Sequence, residues 1–387
     1  MISRVSSVLV AAIVAITLVA DAPRPAAAAP PAGAGDIRLN EVQAIGTHNS
    51  YKRELSEPEQ AEYDAIISTP GDYDEFLAYS HATIPNQFGL QNVRGLELDL
   101  FGDPEGGLYA EPMVRQRLGM GPLPDPAWQQ RGIKILHIAD LDYETTCVLL
   151  VTCLGQVEAW SDANPLHVPL TILLELKRSD NRAVAQGGVV APAWDAGALD
   201  ALEAEIRAVF GEEDMITPDD VRRPGLTLEQ SVRQAGWPTL RESRGQVVFL
   251  LDNDPGAIRT AYRAGRPNLE GRVIFTNSRA GQADAAFIKR NDPRGANLAQ
   301  IQELVRQGYL VRTRSDTPLN TVRSGDTAML EAALASGAHV ISTDFPEVGM
   351  SARYGSDFVA RIPDGPARCN PVNARPNCDS KRLERRP

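Results

Sequence analysis

Eight short apolar runs recur along this chain of 387 residues, and segments with the residue spacing of helices lie between several of them. Nearly continuous apolar runs are typical of strands that are buried on both faces of a parallel sheet. Their alternation with helices predicts an α/β fold, and eight strands favour closure into a (β/α)8 TIM-type barrel. An open, doubly wound sheet is the main alternative. The runs cover residues 42–46, 95–101, 134–138, 170–176, 247–251, 272–275, 310–314 and 338–342, and the expected helices cover 148–160, 197–210, 296–307 and 326–336.

Polar and charged residues stand at or just past the end of each run. In a parallel barrel the carboxyl ends of the strands meet at one rim, and active sites of barrel enzymes form there. This placement therefore favours the barrel over the open sheet and indicates an enzyme. The residues concerned are His48, Asn49, Glu97, Asp99, His137, Asp140, Glu175, Lys177, Asp252, Asn253, Asp254, Asn277, Arg312, Arg314, Asp316 and Asp344.

Two acidic residues, Glu97 and Asp99, stand two positions apart in the same run. On a strand this spacing points both carboxylates to one side, and two like charges in a pocket need a cation or a proton beside them. Glu175 and the amide oxygen of Asn49 would complete a set of oxygen ligands, which suits Ca²⁺ or Mg²⁺ better than zinc. The alternative without a metal is that these carboxylates pair with Arg94, Arg312 or Arg314.

The chain has only five histidines, and two of them follow neighbouring runs. His48 and His137 are so placed that one could donate to a phosphoryl oxygen while the other protonates a leaving alkoxide. We expect structural roles for His167 and His339. The same holds for His81, although its segment leads directly into the run that contains Glu97.

Four segments, in this order, resemble the catalytic half of phosphatidylinositol-specific phospholipase C. They read Gly-Thr-His-Asn-Ser-Tyr at 46–51, Arg-Gly-Leu-Glu-Leu-Asp at 94–99, Ile-Leu-His at 135–137 and Pro-Leu-Thr-Ile-Leu-Leu-Glu at 169–175. More narrowly, the chain resembles the secreted, calcium-dependent enzymes of actinobacteria from about Leu39 to Gly349. The likeness is strongest before Lys177.

The resemblance implies a role for each matching residue. His48 would stabilise the pentavalent phosphorane, and His137 would act as general acid toward the diacylglycerol oxygen. Arg312 matches the arginine that binds the substrate phosphate in the family, and we expect Lys177 and Arg314 to bind substrate as well. The Ca²⁺ ligands would be Asn49, Glu97, Asp99 and Glu175.

The reaction that the resemblance implies is an intramolecular one. The 2-hydroxyl of the inositol ring attacks its own phosphodiester, with Glu97 or Glu175 as the base. The products are diacylglycerol and inositol 1,2-cyclic phosphate, which water can then open to inositol 1-phosphate. Eukaryotic members carry lysines on the fifth strand that bind extra ring phosphates, whereas this chain reads Leu-Asp-Asn-Asp at 251–254. We therefore expect unphosphorylated phosphatidylinositol as the substrate.

Some alternatives stay open at this point. The interval from Asp99 to His137 is longer than in the eukaryotic enzymes, which leaves His81 as a second candidate for the general acid. A glycerophosphodiester phosphodiesterase on a similar barrel is the nearest alternative function. A barrel that binds a lipid or sugar headgroup without catalysis is a more distant one.

The amino terminus has the pattern of an export signal. Arg4 is followed by an apolar stretch over 5–20 and a Pro/Ala-rich stretch over 21–35, which predicts a signal peptide and leader at residues 1–29 and a secreted protein. The apolar stretch is shorter than the ~20 residues that span a bilayer, which disfavours an uncleaved anchor. Beyond the leader we expect a catalytic barrel at 36–362 and a C-terminal extension at 363–387.

Cysteines and charge restrict the partners of the chain. Cys147 lies close to Cys153 and Cys369 close to Cys378, and in an exported protein such pairs are expected to form disulfides. The formal net charge of -11 argues against nucleic acid as a partner. We expect a monomer that meets a membrane surface transiently, where its phosphatidylinositol-type substrate lies.

Overall fold

The computed structural model describes residues 36–363 and 365–384. The expected signal peptide and leader at 1–29 lie outside the described residues. The strands are β1 Val42–Thr47, β2 Gly95–Phe101, β3 Lys134–Ile135, β4 Leu170–Leu176, β5 Val247–Leu251, β6 Ile274–Thr276, β7 Phe287–Lys289, β8 Leu310–Arg314, β9 Val340–Thr343 and β10 Ala367–Cys369. The α-helices are α1 Glu57–Ile67, α2 Asp72–Phe76, α3 Ile84–Gly89, α4 Met113–Leu118, α5 Leu150–Ala163, α6 Asn181–Val184, α7 Ala196–Arg207, α8 Pro218–Val221, α9 Leu228–Gln234, α10 Leu240–Ser243, α11 Ala257–Tyr262, α12 Ala296–Arg306, α13 Asn320–Ser324 and α14 Ala328–Ser336.

Eight parallel strands form a nearly closed barrel in the order β6-β5-β4-β2-β1-β9-β8-β7. The two end strands, β6 and β7, meet through a single parallel bridge between Asn277 and Phe287. The strands are buried almost throughout, as expected for a sheet that is covered by helices on its outer face and filled by side chains inside. The predicted (β/α)8 TIM-type barrel is confirmed.

One predicted barrel strand is wrong, and another was missed. The run 134–138 contributes only the two-residue strand β3, which pairs antiparallel with β2 and lies outside the ring. The chain then turns tightly, with Asp140 at a φ of 70° and a bridge between Ile138 and Asp142, so the strand cannot continue. The ring is instead completed by β7, whose three residues are too short to show a strand pattern in the sequence.

The expected helices are present, with small differences at their ends. In α12 the residues that face the core are Ile301 and Val305, which lie four positions apart on one side of the helix. Asp326 accepts a hydrogen bond from the backbone N–H of Ala328 at 2.9 Å, and Gly337 ends α14 in the left-handed conformation. Both predicted disulfides are formed, Cys147 with Cys153 and Cys369 with Cys378. Each helix within 36–363 and 365–384 is too short or too polar to cross a bilayer.

The segment after residue 363 packs beside the amino-terminal half of β1, where Ala367 and Leu383 share an apolar cluster with Val42 and Ala44. Strand β1 pairs with β9 along one edge. Along its other edge it pairs first with β10, up to Ala44, and then with β2, at Gly46. The tail is fixed by Glu384, whose carboxylate forms an ion pair with the buried Arg94 and accepts the N–H of Val168 at 2.9 Å.

Replacing Glu384 with alanine should therefore destabilise the whole barrel. The change would leave the buried guanidinium of Arg94 without its anion, which typically costs about 3 kcal/mol or more. Thermal unfolding of the purified protein measures the effect. As a control, Glu303→Ala removes a glutamate in an exposed pair with Arg306 and should change the stability by less than about 0.5 kcal/mol. Equal shifts for the two variants would show that the tail does not hold the barrel.

Candidate active site

Three carboxylates from two adjacent strands meet at the rim of the barrel. Glu97 and Asp99 lie on β2, and Asp99 is the register partner of Glu175 on β4. One carboxylate oxygen from each of the three lies within 4.8 Å of the others. The sequence prediction that these residues converge is thus met in the fold, because neighbouring parallel strands place their carboxyl ends side by side.

Two of the three carboxylates, Glu97 and Asp99, are buried, whereas the side chain of Glu175 is 32% exposed. Burial raises the pKa of Glu97 to about 7, with Asp252 and Glu175 adding to the effect against the opposing charge of Arg312. Burial likewise raises the pKa of Asp99, with Glu175 and Glu97 as further causes and Lys177 opposing them. Neither oxygen of Asp99 accepts a hydrogen bond of good geometry. Such a group of carboxylates is stabilised by a cation placed among its oxygens.

Basic side chains supply part of the positive charge that these carboxylates need. Lys177 places its ammonium 3.0 Å from Asp99 Oδ2 and 3.3 Å from Glu175 Oε1. Arg312 is buried and forms an ion pair with Glu97, so one pairing that we weighed against a metal is present. The donor set, which contains only oxygen and is buried except at Glu175, fits a hard divalent ion such as Ca²⁺. Asn49, the fourth expected ligand, is buried at the end of β1, where its Nδ2 donates to Tyr79.

His48 is held by a carboxylate behind its ring. Its Nδ1 lies 3.0 Å from Asp344 Oδ1, while its Nε2 faces Glu97 Oε1 at 3.7 Å. Burial and then the nearby Arg314 lower the pKa of His48 to about 3, against the opposing effect of Asp344. Burial alone would raise the pKa of Asp344, but the hydrogen bond from His48 and the charge of Arg314 hold it below its usual range. Asp344 therefore carries the negative charge of this pair and fixes the orientation of the ring.

His137 has a matching carboxylate, Asp142, which lies 2.8 Å from its Nδ1. The backbone N–H of the preceding residue, Leu136, donates to the carbonyl oxygen of Asp99, so His137 reaches the rim even though its segment is not a barrel strand. Burial lowers the pKa of His137, and the hydrogen bond that its Nδ1–H donates to Asp142 opposes this effect. About one sixth of each ring, 16 % for both His48 and His137, is open to solvent, so both can meet a substrate.

The other three histidines lie in structural positions. His81 is fully buried and contacts the backbone oxygen of His48 at 2.8 Å through its Nε2. His167 binds Ser161, and His339 binds the backbone oxygen of Asn40. His81 therefore supports His48 from behind and has no open face toward the rim, which weakens it as a candidate for the general acid.

Comparison with known sequences identifies the family. A sequence model described as "Phosphoinositide phospholipase C, Ca2+-dependent" matches residues 37–371, most of the chain. The chain belongs to this family. It is therefore an enzyme of the phosphoric diester hydrolase class, a phosphatidylinositol-specific phospholipase C, as the sequence predicted. No curated protein sequence matches the chain.

Solved structures share the fold of this phospholipase C. The calcium-dependent phosphoinositol-specific phospholipase C of a Pseudomonas species, in its apo form, has a TM-score of 0.52 and 14% identity, covering 88% of this chain and 98% of its own. Its myo-inositol complex gives the same values. A Ca²⁺-dependent phosphatidylinositol-specific enzyme from Streptomyces antibioticus has a TM-score of 0.47 and 16% identity, covering 82% and 98%. At these identities the likeness to the Pseudomonas enzyme shows a common fold.

Several residues at the site of this phospholipase C were not singled out by sequence reasoning. Asp142 holds His137, whereas Asp140, the residue noted in the sequence, accepts the backbone N–H groups of Met113 and Val189 and ties rim connections together. The spacing of the two aspartates gave no signal for choosing between them. Lys289 was missed with its strand, and its ammonium lies 2.6 Å from Asp252 Oδ2.

A cavity of about 370 Å³ adjoins the carboxylate cluster between the ends of β4 and β5. Glu175 and Lys177 form the wall that it shares with the cluster. Its opposite side consists of Asp254, Gly256 and Ile258. The cavity is polar and open, which suits a hydrated headgroup better than an acyl chain.

Proposed function

We propose that the chain is a calcium-dependent phosphodiesterase that cleaves phosphatidylinositol into diacylglycerol and inositol 1,2-cyclic phosphate. The observation that carries the proposal is the carboxylate cluster at the rim together with two histidines, each held by its own aspartate, in a chain of this family. A site of this kind has what an internal phosphoryl transfer needs: a base, an acid and positive charge for the phosphate.

In this proposal the basic side chains bind the phosphodiester. Arg312, on β8, and Arg314, beside His48, supply fixed positive charge at the rim. Lys177, directly after β4, supplies a further positive charge. An anionic phosphate placed among them favours the imidazolium form of both histidines, which Asp344 and Asp142 stabilise from the far side of each ring. His48 then donates to a phosphoryl oxygen through its Nε2.

The proton transfers follow from these positions. The 2-hydroxyl oxygen forms a bond to phosphorus while the bond from phosphorus to the diacylglycerol oxygen breaks. The hydroxyl proton passes to a carboxylate of the cluster, Glu97 or Glu175, and the proton of His137 passes to the departing diacylglycerol oxygen. Asn49, Glu97, Asp99 and Glu175 would hold Ca²⁺, which would supply positive charge that lowers the pKa of the hydroxyl and offsets the charge of the phosphate.

An analogue without the 2-hydroxyl tests this proposal. Detergent-dispersed 2-deoxy phosphatidylinositol should not be cleaved, while the natural lipid should give a five-membered cyclic phosphate that ³¹P NMR identifies. Activity on the 2-deoxy lipid would contradict intramolecular attack. Activity only on deacylated glycerophosphodiesters would favour the alternative of a glycerophosphodiester phosphodiesterase instead. Binding of phosphatidylinositol vesicles without any cleavage would favour the non-catalytic alternative.

The remaining expectations belong to the same proposal. The two disulfides support a secreted protein. The end of β5, which carries phosphate-binding lysines in the eukaryotic enzymes, reads Asp-Asn-Asp at 252–254 in this chain. The lack of lysine in that segment supports an unphosphorylated inositol ring. We propose that the protein acts as a monomer that touches the membrane only during turnover.

A further inference from the structure

A lysine without access to solvent lies beneath the site. Lys52 follows the segment that carries His48 and Asn49, and its side chain is 0% exposed. Its ammonium lies 3.2 Å from each carboxylate oxygen of Asp142 and 3.3 Å from the hydroxyl of Tyr73. It also lies over the rings of Tyr73 and Tyr79, 5.3 Å and 5.1 Å from their centres. Nothing in the proposed reaction uses this cation directly.

The contacts of this lysine lead to both candidate catalytic histidines. Asp142 accepts from Lys52 and Tyr73 and holds Nδ1 of His137. On the other side, the hydroxyl of Tyr79 lies 3.3 Å from Nδ1 of His48 and accepts from Asn49. Both tyrosines lie in the long connection after β1, so this connection contacts the groups that hold His48 and His137.

The burial of this charge has a physical consequence. A buried ammonium is costly unless an anion compensates it, and removal of one partner leaves the other charge unpaired. Asp142 is the anion that Lys52 contacts. Burial would raise the pKa of Asp142, but Lys52 and the hydrogen bond to His137 lower it. The carboxylate behind His137 therefore owes its charge and its position in large part to Lys52.

We propose that Lys52 is a positioning residue that keeps Asp142 ionised and aligned, and through it holds His137 in the orientation needed for proton donation. The link to catalysis rests on the proposed function, whereas the link to His137 does not.

The charged groups around His137 determine in which direction its titration should shift. Asp142 contacts His137 directly, and two lysines act on it by their charge: Lys52 from the segment after β1 and Lys177 from the residue directly after β4. Both lysines lower the pKa of His137 by their positive charge. Around Asp142 the further titratable groups are four tyrosines, Tyr51, Tyr63, Tyr73 and Tyr79, and the carboxyl group of Glu144. Burial raises the pKa of each of them, which keeps the tyrosines neutral.

The experiment is histidine NMR on Lys52→Met, which removes the charge but keeps the length of the side chain. With five histidines in the chain, each ring can be assigned by single substitutions in protein carrying ¹⁵N-labelled histidine. The coupled pair of His137 and Asp142 should take up its proton at higher pH, since a nearby cation is lost, and the proton of His137 should no longer be confined to Nδ1. The turnover number on phosphatidylinositol should fall about 10- to 100-fold, with a smaller change in KM.

Lys134→Met is the matched control. Lys134 is also 0% exposed and pairs with a buried aspartate, Asp103, at 3.0 Å, but it has no contact with His137. This variant should lose thermal stability while the His137 titration and the turnover number stay unchanged. If Lys52→Met does not fold, Lys52→Gln and Tyr73→Phe replace it, since each weakens the contacts of Asp142 with less change in packing. In both variants the titration of the His137–Asp142 pair should shift in the same direction by a smaller amount.

The NMR titration and the turnover measurement distinguish a failure of the positioning role from a failure of the proposed function. An unchanged His137 titration and tautomer in the folded Lys52 or Tyr73 variants would overturn the proposal, because a structural role alone lowers stability without moving that titration. If His137 shifts but the wild-type protein does not cleave phosphatidylinositol, the positioning role stands and the proposed function fails.

Discussion

Alanine in place of His137 should slow the cleavage of phosphatidylinositol by about 10²- to 10⁴-fold, the usual contribution of a positioned general acid. The loss should shrink strongly on an inositol phosphodiester with a p-nitrophenyl leaving group, which departs without a proton. The reason is that His137, held by Asp142 and partly open to solvent, is the side chain that protonates the leaving oxygen in our account. Steady-state turnover of both substrates by wild type and variant measures the difference.

His81→Ala is the comparison that decides between the two candidate acids. His81 is buried behind His48 and contacts its backbone oxygen, so its removal should slow both substrates by a similar factor. A variant of His81 that recovers on the activated substrate, while the His137 variant does not, would show that the acid was assigned to the wrong residue. Circular dichroism and thermal unfolding establish that both variants are folded.

Asp99→Asn should have two opposite effects. Activity on phosphatidylinositol should fall about 100-fold or more, since even the outer partners of metal ligands contribute 10- to 100-fold, and Ca²⁺ should no longer raise the melting temperature. Without Ca²⁺, however, the variant should melt at a higher temperature than the wild type at pH 8. Burial and the neighbouring carboxylates disfavour the charge of Asp99, so a neutral amide of the same shape relieves the repulsion.

The same substitution elsewhere provides the control. Asp284 is also fully buried, but its carboxylate is paired with Arg259 at 2.5 Å and accepts from Thr276. Asp284→Asn should therefore lower the melting temperature with and without Ca²⁺, because it leaves the guanidinium without its anion. If Asp99→Asn also lowers the melting temperature of the Ca²⁺-free protein, the cluster is an ordinary ion-pair network with Lys177.

Much of the site could be predicted because strand geometry alone brings it together. Glu97 and Asp99 share one face of β2, and Glu175 lies near the end of the adjacent strand β4. The three carboxylates therefore come together in any parallel barrel in which these two strands are neighbours. His137 was predicted correctly at the rim but for a partly wrong reason. Its run is not a barrel strand, and it reaches the site because β3 turns back against β2.

The rest depends on packing that leaves no pattern in the sequence. Strand β7 is only three residues long, which is too short to show the alternation of apolar and polar residues that marks a strand. Lys289, its last residue, was therefore not predicted either. Lys52 and Asp142 are 90 positions apart and meet only in the folded chain. A charged residue in a loop reads as a surface residue unless the tertiary structure buries it, and the long connection after β1 buries Lys52.

Titration of activity with Ca²⁺ is the most direct test of the central claim that the rim cluster supports calcium-assisted internal transfer to the 2-hydroxyl. Purified protein is stripped of metal, mixed with detergent-dispersed phosphatidylinositol, and the products are identified at each Ca²⁺ concentration. We predict no turnover without Ca²⁺, saturable recovery when it is added, and cyclic inositol phosphate as the first product. Full activity in the presence of a chelator, or inositol 1-phosphate appearing without a cyclic precursor, would contradict the account.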